Sequence, residues 1–278
     1  MGFVIDKQGD YLPVFGEATG GSGTSDHSQL TNLDYANSGH TGFMSSSNYI
    51  PANTTYTVKT DGTGDFSKLS EAIAFLQNKW SPFLITISIG AGTFVENDLI
   101  SIKDTLHSGI TTLVIEGAGV DSTIIQNTST KIAFEVRDMI NSNILIKNLT
   151  IENTNETTPV AVLYNASSKR LRVNNIKLIK GQSGFLIGGS LPEATLEGTL
   201  TIQNCTSKGI DVQNGGIFRG GSQDISFSNI PLGIGVARQS KIILNSPNWV
   251  WTSVTTKANI SINTYTADGY IYTDTGTI

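Results

Sequence analysis

The sequence predicts an all-β protein, a parallel β-helix in which each coil contributes three short strands. Apolar residues recur in alternating pairs with a period of about 25 residues, and three such pairs fall within each period. Thr, Asn, Ser and Ile are abundant, which favours strands joined by polar turns. A sandwich or a barrel could also hold many short strands, but neither fold predicts a constant period.

The first 55 residues are expected to form an attachment segment that lies outside the repeat. A short hairpin is predicted, with strands at Phe3–Ile5 and Tyr11–Phe15. Residues 16–26 form a Gly/Ser/Thr linker. Residues 27–55 are polar and show neither a helical nor a strand period. We therefore expect them to be ordered by another chain or by the next domain.

The β-helix is predicted over residues 56–245, beginning with a strand at 56–58. A helix is expected from about Ser67 to Lys79, capped by Asp65 or Ser67. Its apolar positions recur at steps of 3, 4 and 3 and form one face: Phe66, Leu69, Ile73 and Leu76. Such a helix would cover the open end of the first coil.

The repeat itself consists of inward-facing apolar pairs that return once per coil. The first series is Leu149/Ile151, Ile176/Leu178, Leu200/Ile202 and Ile225/Phe227. The second series is Val160/Val162, Phe185/Ile187, Ile210/Val212 and Ile234/Val236. A third, weaker series comprises Ile144/Ile146, Leu171/Val173, Leu196, Ile217 and Ile242/Leu244.

Corner and outward positions are predicted to stack as well. Asn153, Asn204 and Asn229 share one corner, where an Asn can adopt the left-handed conformation, and Lys180 interrupts the series. Three outward residues spaced 25 apart are expected to lie above one another: Lys147, Arg172 and Glu197.

Composition excludes several classes of protein. The net charge of -5 argues against a duplex-binding surface, so nucleic acid is not expected as a partner. The single cysteine, Cys205, cannot form an intramolecular disulfide. No apolar run reaches the roughly 18 residues of a membrane span, and no basic segment followed by an apolar run suggests a signal peptide.

Residues 58–126 resemble the opening of right-handed β-helices of the pectin-lyase type, pectin methylesterases above all. The similar stretches are VKTDGTGDFSKLSEAI, ITISIGAGTFVEN and LVIEGAGVDSTIIQN, and the resemblance continues weakly through residues 149–154. It covers about a quarter of the chain. It implies a strand, a Gly-rich turn and a capping helix in that order, and a right-handed coil.

A second resemblance concerns the attachment segment. Residues 26–33 (DHSQLTNL) and 39–43 (GHTGF) are similar to a short segment common in bacteriophage tail and baseplate proteins. In tail fibres and receptor-binding proteins this segment often precedes a β-helical body. The resemblance implies a viral context.

The methylesterase resemblance leaves the catalytic set incomplete. The family uses two aspartates, two glutamines and an arginine as nucleophile, acid/base and oxyanion donors. The first glutamine falls near Thr158-Pro159 and is absent; the family's Gln-Asp pair falls on Gln182-Ser183, so only the glutamine remains. The other aspartate falls on Asp211, and no arginine matches. Asp211 lies between inward residues, so we expect an outward, solvated carboxylate.

Other kinds of chemistry have weak support. A polysaccharide hydrolase needs two carboxylates about 5–10 Å apart, and adjacent coils could supply them from Glu152, Glu156, Asp211 and Asp224. His27 and His40 lack the neighbouring ligands of a metal site, and His107 stands alone, so no metal and no cofactor is predicted.

Two groups of residues are candidates for ligand binding. Lys169, Arg170, Arg172, Lys177 and Lys180 form a basic strip suited to an anionic wall polymer, with Arg172 and Lys177 facing outward. Its alternatives are ion pairing between subunits or a solvated face. The C-terminal aromatics could stack on sugar rings, or instead close the last coil or pack on a partner: Trp249, Trp251, Tyr265, Tyr270 and Tyr272.

These observations favour a bacteriophage tail-fibre, tailspike or receptor-binding protein, carried on the virion and made in the host cytoplasm. Residues 1–55 would attach to other tail or baseplate proteins, and residues 246–278 would form an aromatic-rich tip. The resemblance implies a homotrimer that binds a host surface polysaccharide. The alternatives are a polysaccharide-degrading or deacetylating enzyme on the same scaffold, and a purely structural tail component.

Overall fold

The computed structural model describes residues 2–5, 11–14, 48–77, 79–103, 110–128, 132–137, 142–155, 160–221, 223–244, 248–261 and 270–273. The chain divides into two compact units, Met1–Ser45 and Ser46–Ile278. In the first unit, β1 (Gly2–Ile5) and β2 (Tyr11–Val14) pair antiparallel, which confirms the predicted hairpin. The second unit begins at Ser46, ten residues before the predicted start of the β-helix.

The second unit is a right-handed parallel β-helix with three faces, as the repeat predicts. Each face is a parallel sheet built from one strand per coil. Three long strands, β10 (Asn143–Asn153), β12 (Leu171–Ile179) and β18 (Asp224–Ala237), bend and serve two faces each. The strand β20 (Asn248–Ser261) does the same.

Sheet 1 contains the first parts of β10 and β12 together with β3 (Thr54–Val58), β4 (Ser81–Ile89), β7 (Ile110–Gly117), β14 (Glu193–Leu196), β17 (Ile217–Gly220), β19 (Lys241–Leu244) and β21 (Tyr270–Thr273). Sheet 2 contains the second parts of β10 and β12, the first parts of β18 and β20, and β5 (Gly92–Glu96), β8 (Thr123–Asn127) and β15 (Leu200–Gln203). Sheet 3 contains the second parts of β18 and β20, and β6 (Ile100–Ile102), β9 (Phe134–Val136), β11 (Ala161–Asn165), β13 (Ser183–Ile187) and β16 (Lys208–Val212).

The predicted inward pairs form the core on sheet 2. Each member of the series from Leu149/Ile151 to Ile225/Phe227 lies in register with its equivalent one coil later, and all are at most 1% exposed. On sheet 3, Phe185/Ile187, Ile210/Val212 and Ile234/Val236 are likewise in register and buried. The period therefore predicts the interior columns wherever each coil has the same length.

Two assignments within the columns were wrong. Phe185 and Ile187 pair with Leu163 and Asn165, whereas Val160 is 47% exposed. Three consecutive residues, 161–163, are buried at the start of β11, so alternation does not identify the inward face there. On sheet 1, Phe218 occupies the inward position predicted for Ile217, because Phe218 is in register with Ala194.

The bends between sheets use left-handed residues, as predicted for Asn204 and Asn229. Their φ angles are 57° and 56°, and Asn229 Nδ2 donates to Asn204 Oδ1 at 3.0 Å. Lys180 continues this backbone series with a φ of 65°, so it does not interrupt it. Asn153 was wrongly assigned to the series, because it is a fully buried strand residue whose Oδ1 accepts from the Asn155 backbone N–H.

The predicted capping helix is α1 (Leu69–Leu76), shorter than expected at both ends. It buries Leu69, Ala72, Ile73 and Leu76 against the first coils. The Glu71 carboxylate accepts hydrogen bonds from Ser67 Oγ (3.0 Å) and the Lys68 backbone N–H (3.2 Å) and so caps the helix. Asp65 does not cap it, because its carboxylate accepts from the backbone and hydroxyl of Thr57 instead.

Candidate functional site

The outer face of sheet 3 carries a continuous row of outward residues that we call the sheet 3 column. Strand register places its members one above the other, neighbours being about 4.8 Å apart along the β-helix. The members are Ser101, Glu135, Tyr164, Leu186, Asp211 and Gly235. The column is noteworthy because it contains two buried carboxylates on an outer face.

Asp211 is the residue that the methylesterase resemblance singled out. The prediction of a solvated carboxylate was wrong, since Asp211 points outward from β16 and yet is only 4% exposed. Its Oδ2 accepts hydrogen bonds from Lys208 Nζ at 2.8 Å and Gln213 Nε2 at 2.5 Å. Its Oδ1 is buried and has no hydrogen-bond partner among the described residues.

Gly235 in the next coil leaves room beside Asp211 for the side chain of Lys208. A Cβ at Gly235 would lie 3.1 Å from Lys208 Cδ and 3.3 Å from Asp211 Oδ1. The glycine thus leaves a depression across which the aliphatic stem of Lys208 extends, and this stem covers the carboxylate. Alternation alone does not predict this, because the covering side chain comes from the start of the same strand.

The geometry weakens the esterase hypothesis further. The position of the second family carboxylate is Ser183, and strand register places Lys208 directly above it. Gln182 has an exposed side chain, while its backbone carbonyl accepts from the Lys208 N–H at 3.0 Å. A nucleophilic carboxylate needs an accessible lone pair, and here one oxygen is engaged twice and the other is covered. Thr158 and Pro159 lie outside the described residues.

Glu135 is the second buried carboxylate of the column, and it is only 1% exposed. Arg137 binds it through two nitrogens, with Nε at 3.1 Å from Glu135 Oε1, and Ser101 Oγ donates to Oε2 at 3.0 Å. Tyr164 follows in the column and is half-buried. Burial raises the pKa of the Tyr164 phenol, the Glu135 charge raises it further, and Arg137 opposes this.

Among the described residues, the candidate carboxylates do not form a hydrolase pair. Three strand steps separate Glu135 from Asp211, about 14 Å, which exceeds the roughly 5–10 Å that glycoside hydrolysis requires. Glu152 lies on sheet 2 and forms an ion pair with Lys180 at 3.1 Å. Asp224 begins β18 on the same sheet, three coils farther along, and Glu156 lies outside the described residues.

The predicted basic strip is largely paired within the chain. Arg172 contacts Glu197 at 3.0 Å on sheet 1, and Lys177 contacts Asp121 at 3.6 Å on sheet 2. Arg172 and Lys177 thus face outward as predicted but on different sheets, and Lys180 pairs with Glu152. The expected stack of Lys147 beneath Arg172 was wrong, because Lys147 is in register with Asn174 and pairs with Glu116 instead.

The C-terminal aromatics occupy different environments. Trp249 and Trp251 lie on β20 in register with Ile225 and Phe227, so they point inward. Their rings stack on Phe227 with centroids 6.1 and 4.6 Å away, and both are half-buried against the core. This is the arrangement of the alternative in which the aromatics close the last coil. Tyr270 and Tyr272 belong to β21 on sheet 1, and Tyr265 lies outside the described residues.

The structure therefore places Lys208 and Gln213 in hydrogen-bond contact with Asp211, and it places Tyr164 and Glu135 two and three strands away in the same column. Sequence reasoning missed all four residues. A signal was available, since Lys208 and Gln213 lie three residues before and two residues after Asp211, and Tyr164 carries an outward ring on the same face. Sequence reasoning could not supply the register, because the coil from β11 to β13 is 22 residues long at Leu163 and Phe185, not 25.

The described residues contain neither a cluster of metal ligands nor a helix that could cross a membrane. Within those ranges no three His, Cys, Asp or Glu side chains come together to hold a metal ion. His27, His40 and His107 lie outside them. The one described helix, α1, is too short to cross a membrane.

Two comparisons with known proteins were negative. A scan against protein-family models found no match to the chain. A search of the curated proteins found no match either.

Proposed function

We propose that this protein is a receptor-binding component of a bacteriophage tail, and that it binds host envelope polysaccharide through the sheet 3 column without cleaving it. The observation that carries the proposal is the state of Asp211. Its carboxylate lies at the position that the methylesterase resemblance assigns to a catalytic aspartate, yet Lys208 and Gln213 engage it and it is 4% exposed. Such a carboxylate suits a static polar surface better than a nucleophile.

The surroundings of Asp211 fit the recognition of a neutral or weakly charged sugar chain. The two column carboxylates are neutralised by Arg137 and Lys208, so little net charge remains on this face. Tyr164 supplies an aromatic ring, which packs against the apolar face of a pyranose. Leu186 lies between Tyr164 and Asp211 and is only 9% exposed, and Gly235 adds no side chain beyond Asp211, so a chain could lie along this face.

The viral context rests on the sequence resemblance of residues 26–33 and 39–43, which lie outside the described residues. A stiff β-helix adds a physical reason, because stacked coils present equivalent side chains at a fixed spacing. A homotrimer, which the resemblance implies, would multiply weak contacts into an avid attachment. Sedimentation equilibrium of the full chain should therefore give three times the 29.7 kDa of the monomer.

The test combines binding with product analysis. The purified full chain is incubated with a panel of capsular, lipopolysaccharide and teichoic-acid preparations, and bound protein, reducing ends and released acetyl groups are measured. We expect binding without product. Tyr164→Ala should weaken binding about tenfold or more, while Tyr164→Phe should retain most of it, since the ring makes the contact.

The matched control is Tyr49→Ala, since Tyr49 is 37% exposed but is stacked on Trp80, outside the sheet 3 column. Equal loss of binding in both tyrosine variants would argue against the sheet 3 column. Product that disappears in Asp211→Asn would replace the proposal by the enzyme alternative. Neither binding nor product across the panel would favour a structural tail component.

A further inference from the structure

A cavity of about 200 Å³ lies between the capping helix and the first strand of sheet 3. Its lining residues are Ser70, Ile73, Gln77, Leu99, Ile100, Ser101 and Lys103. It shares only Ser101 with the sheet 3 column, and it is smaller than the roughly 300–1,000 Å³ of pockets that hold drug-sized ligands. Its size suits one small ring.

The two serines of this cavity have their hydroxyl protons committed. Ser70 Oγ donates to Glu96 Oε2 at 2.6 Å, and Ser101 Oγ donates to Glu135 Oε2 at 3.0 Å. A hydroxyl has one proton and two lone pairs, and a carboxylate only accepts, so both serine oxygens can only accept from a ligand. The serines therefore favour a ligand that carries O–H or N–H donors.

The two glutamates behind the serines also determine which charge the cavity tolerates. Glu96 is 2% exposed and Glu135 is 1% exposed, so their negative charge is poorly screened by water. Arg137 neutralises Glu135, and Lys103 places one cationic group on the cavity wall. Positive and negative groups thus approximately balance, which gives no advantage to an anion.

The remaining lining residues of the cavity offer both polar and apolar contacts. Gln77 can donate and accept through its amide, and Lys103 can donate. Ile73, Leu99 and Ile100 supply the apolar part of the lining, and Leu99 is the most exposed of the three. A sugar ring has hydroxyls that donate and accept at its edge and C–H groups on its face, so it matches all three kinds of wall.

We propose that this cavity binds a single neutral sugar unit, separately from the polymer contact on the sheet 3 column. The site goes beyond the proposed function, because it does not require the protein to be viral or the polymer to be of bacterial origin. One ring with few contacts should bind with a dissociation constant on the order of 1 mM.

The test uses saturation-transfer NMR on the full chain with the methyl glycosides of glucose, galactose and N-acetylglucosamine, and with glucuronate as the charged comparator. At least one neutral glycoside should show saturation transfer from the protein, and glucuronate should bind more weakly. Gln77→Leu and Ser101→Ala should each weaken binding about tenfold, because each removes one hydrogen-bonding group. Circular dichroism establishes that both variants remain folded.

The matched control is Gln203→Leu, the same change on the outer face of sheet 2, which should leave sugar binding unaffected. Lys103→Met offers a further variant at an exposed position, so the test does not depend on one fold-sensitive residue. The proposal is overturned if no neutral glycoside binds, if Gln77→Leu and Ser101→Ala bind like the wild type, or if glucuronate binds most tightly. Polymer binding that depends on Tyr164 could persist in each of these cases, so failure here differs from failure of the proposed function.

Discussion

The two ends of the β-helix cover the same kind of apolar core by different means. At the N-terminal end, α1 lays a face of four buried residues across the first coils. At the last described coil of sheet 2, the indole rings of Trp249 and Trp251 stack on Phe227 with interplanar angles of 16° and 14°. The helix is a separate element with its own period, whereas the rings simply extend an existing column.

This difference teaches which cap a sequence reveals. The 3.6-residue period of α1 stands out against strands and predicts a cap directly. The tryptophans follow Ile225 and Phe227 at a step of 24 residues, so they obey the same repeat as the rest of the core. The interpretation of Trp249 and Trp251 as a sugar-stacking surface considered only their aromatic character. Their register with Ile225 and Phe227 places them on the inner side of the coil.

The largest loss of stability should come from a substitution in α1, the cap at the N-terminal end of the β-helix. Leu76→Ala removes a fully buried side chain from the helix–core contact and should lower the free energy of unfolding by about 2–5 kcal/mol. Urea unfolding followed by circular dichroism measures this loss. Phe75→Ala, at a neighbouring position that is 40% exposed, is the control and should cost clearly less. Equal losses would mean that α1 is not a cap.

The next effect concerns the backbone that faces the tryptophans. A Cβ at Gly233 would lie 2.2 Å from Trp251 Cζ3, so Gly233→Ala should cost about 1–3 kcal/mol through forced displacement of the ring. Gly90→Ala is the control, because the nearest atoms to its Cβ would be 3.5 Å away. Equal free energies of unfolding for the two variants would mean that the Trp251 ring does not pack closely against Gly233.

Replacing the ring itself should have a smaller effect, since Trp251 is only half-buried. Trp251→Leu keeps an inward apolar group and should cost about 1–2 kcal/mol. In the double variant Gly233→Ala/Trp251→Leu, the two losses should be less than additive because leucine vacates the contested space. Val250→Ala, at a position that is 53% exposed, should be close to neutral. Strict additivity would contradict the contact.

The smallest change in stability should come from the Glu71 carboxylate, which caps the N-terminus of α1. The side-chain hydrogen bond from Ser67, with its backbone N–H, holds the pKa of the Glu71 carboxyl below its usual value of 4.5. A depressed folded-state pKa contributes stability that is present above the unfolded value and is lost as pH falls through the folded value. The wild type should therefore lose stability below about pH 4.5, and Glu71→Gln should lose less over that window. Parallel pH curves for the two proteins would refute this.

Much of the fold was predictable because, where the repeat has a constant length, the sequence spacing itself gives the register of neighbouring strands. The columns that start at Leu149 and Ile151 follow from sequence spacing, since equal coils stack equal positions. The errors at Val160/Val162 and Ile217 arose where one coil is shorter or alternation fails at a strand end. A single displaced residue in a strand changes which side chain faces inward.

The candidate site was predictable only in part. The resemblance pointed to Asp211 and to the loss of its partner at Ser183, and both positions lie on sheet 3. The burial of Asp211 could not be predicted, because it depends on Lys208 crossing the space left by Gly235 in the following coil. Ion pairs such as Arg172 with Glu197 also depend on side-chain reach between coils.

The sequence by itself determined the architecture, because short-range alternation and a repeat of about 25 residues allow few arrangements other than stacked three-strand coils. It also determined the cap, through the apolar face of α1. Only the tertiary structure decided which outward residues meet, since neighbours on a β-helix face come from successive coils. The commitment of the Ser70 and Ser101 hydroxyls and the inward direction of the tryptophans depend on contacts between segments that are distant in the sequence. The pairing of Asp211 with Lys208 is local in sequence, but the space that the Lys208 stem occupies is left by Gly235 in the next coil.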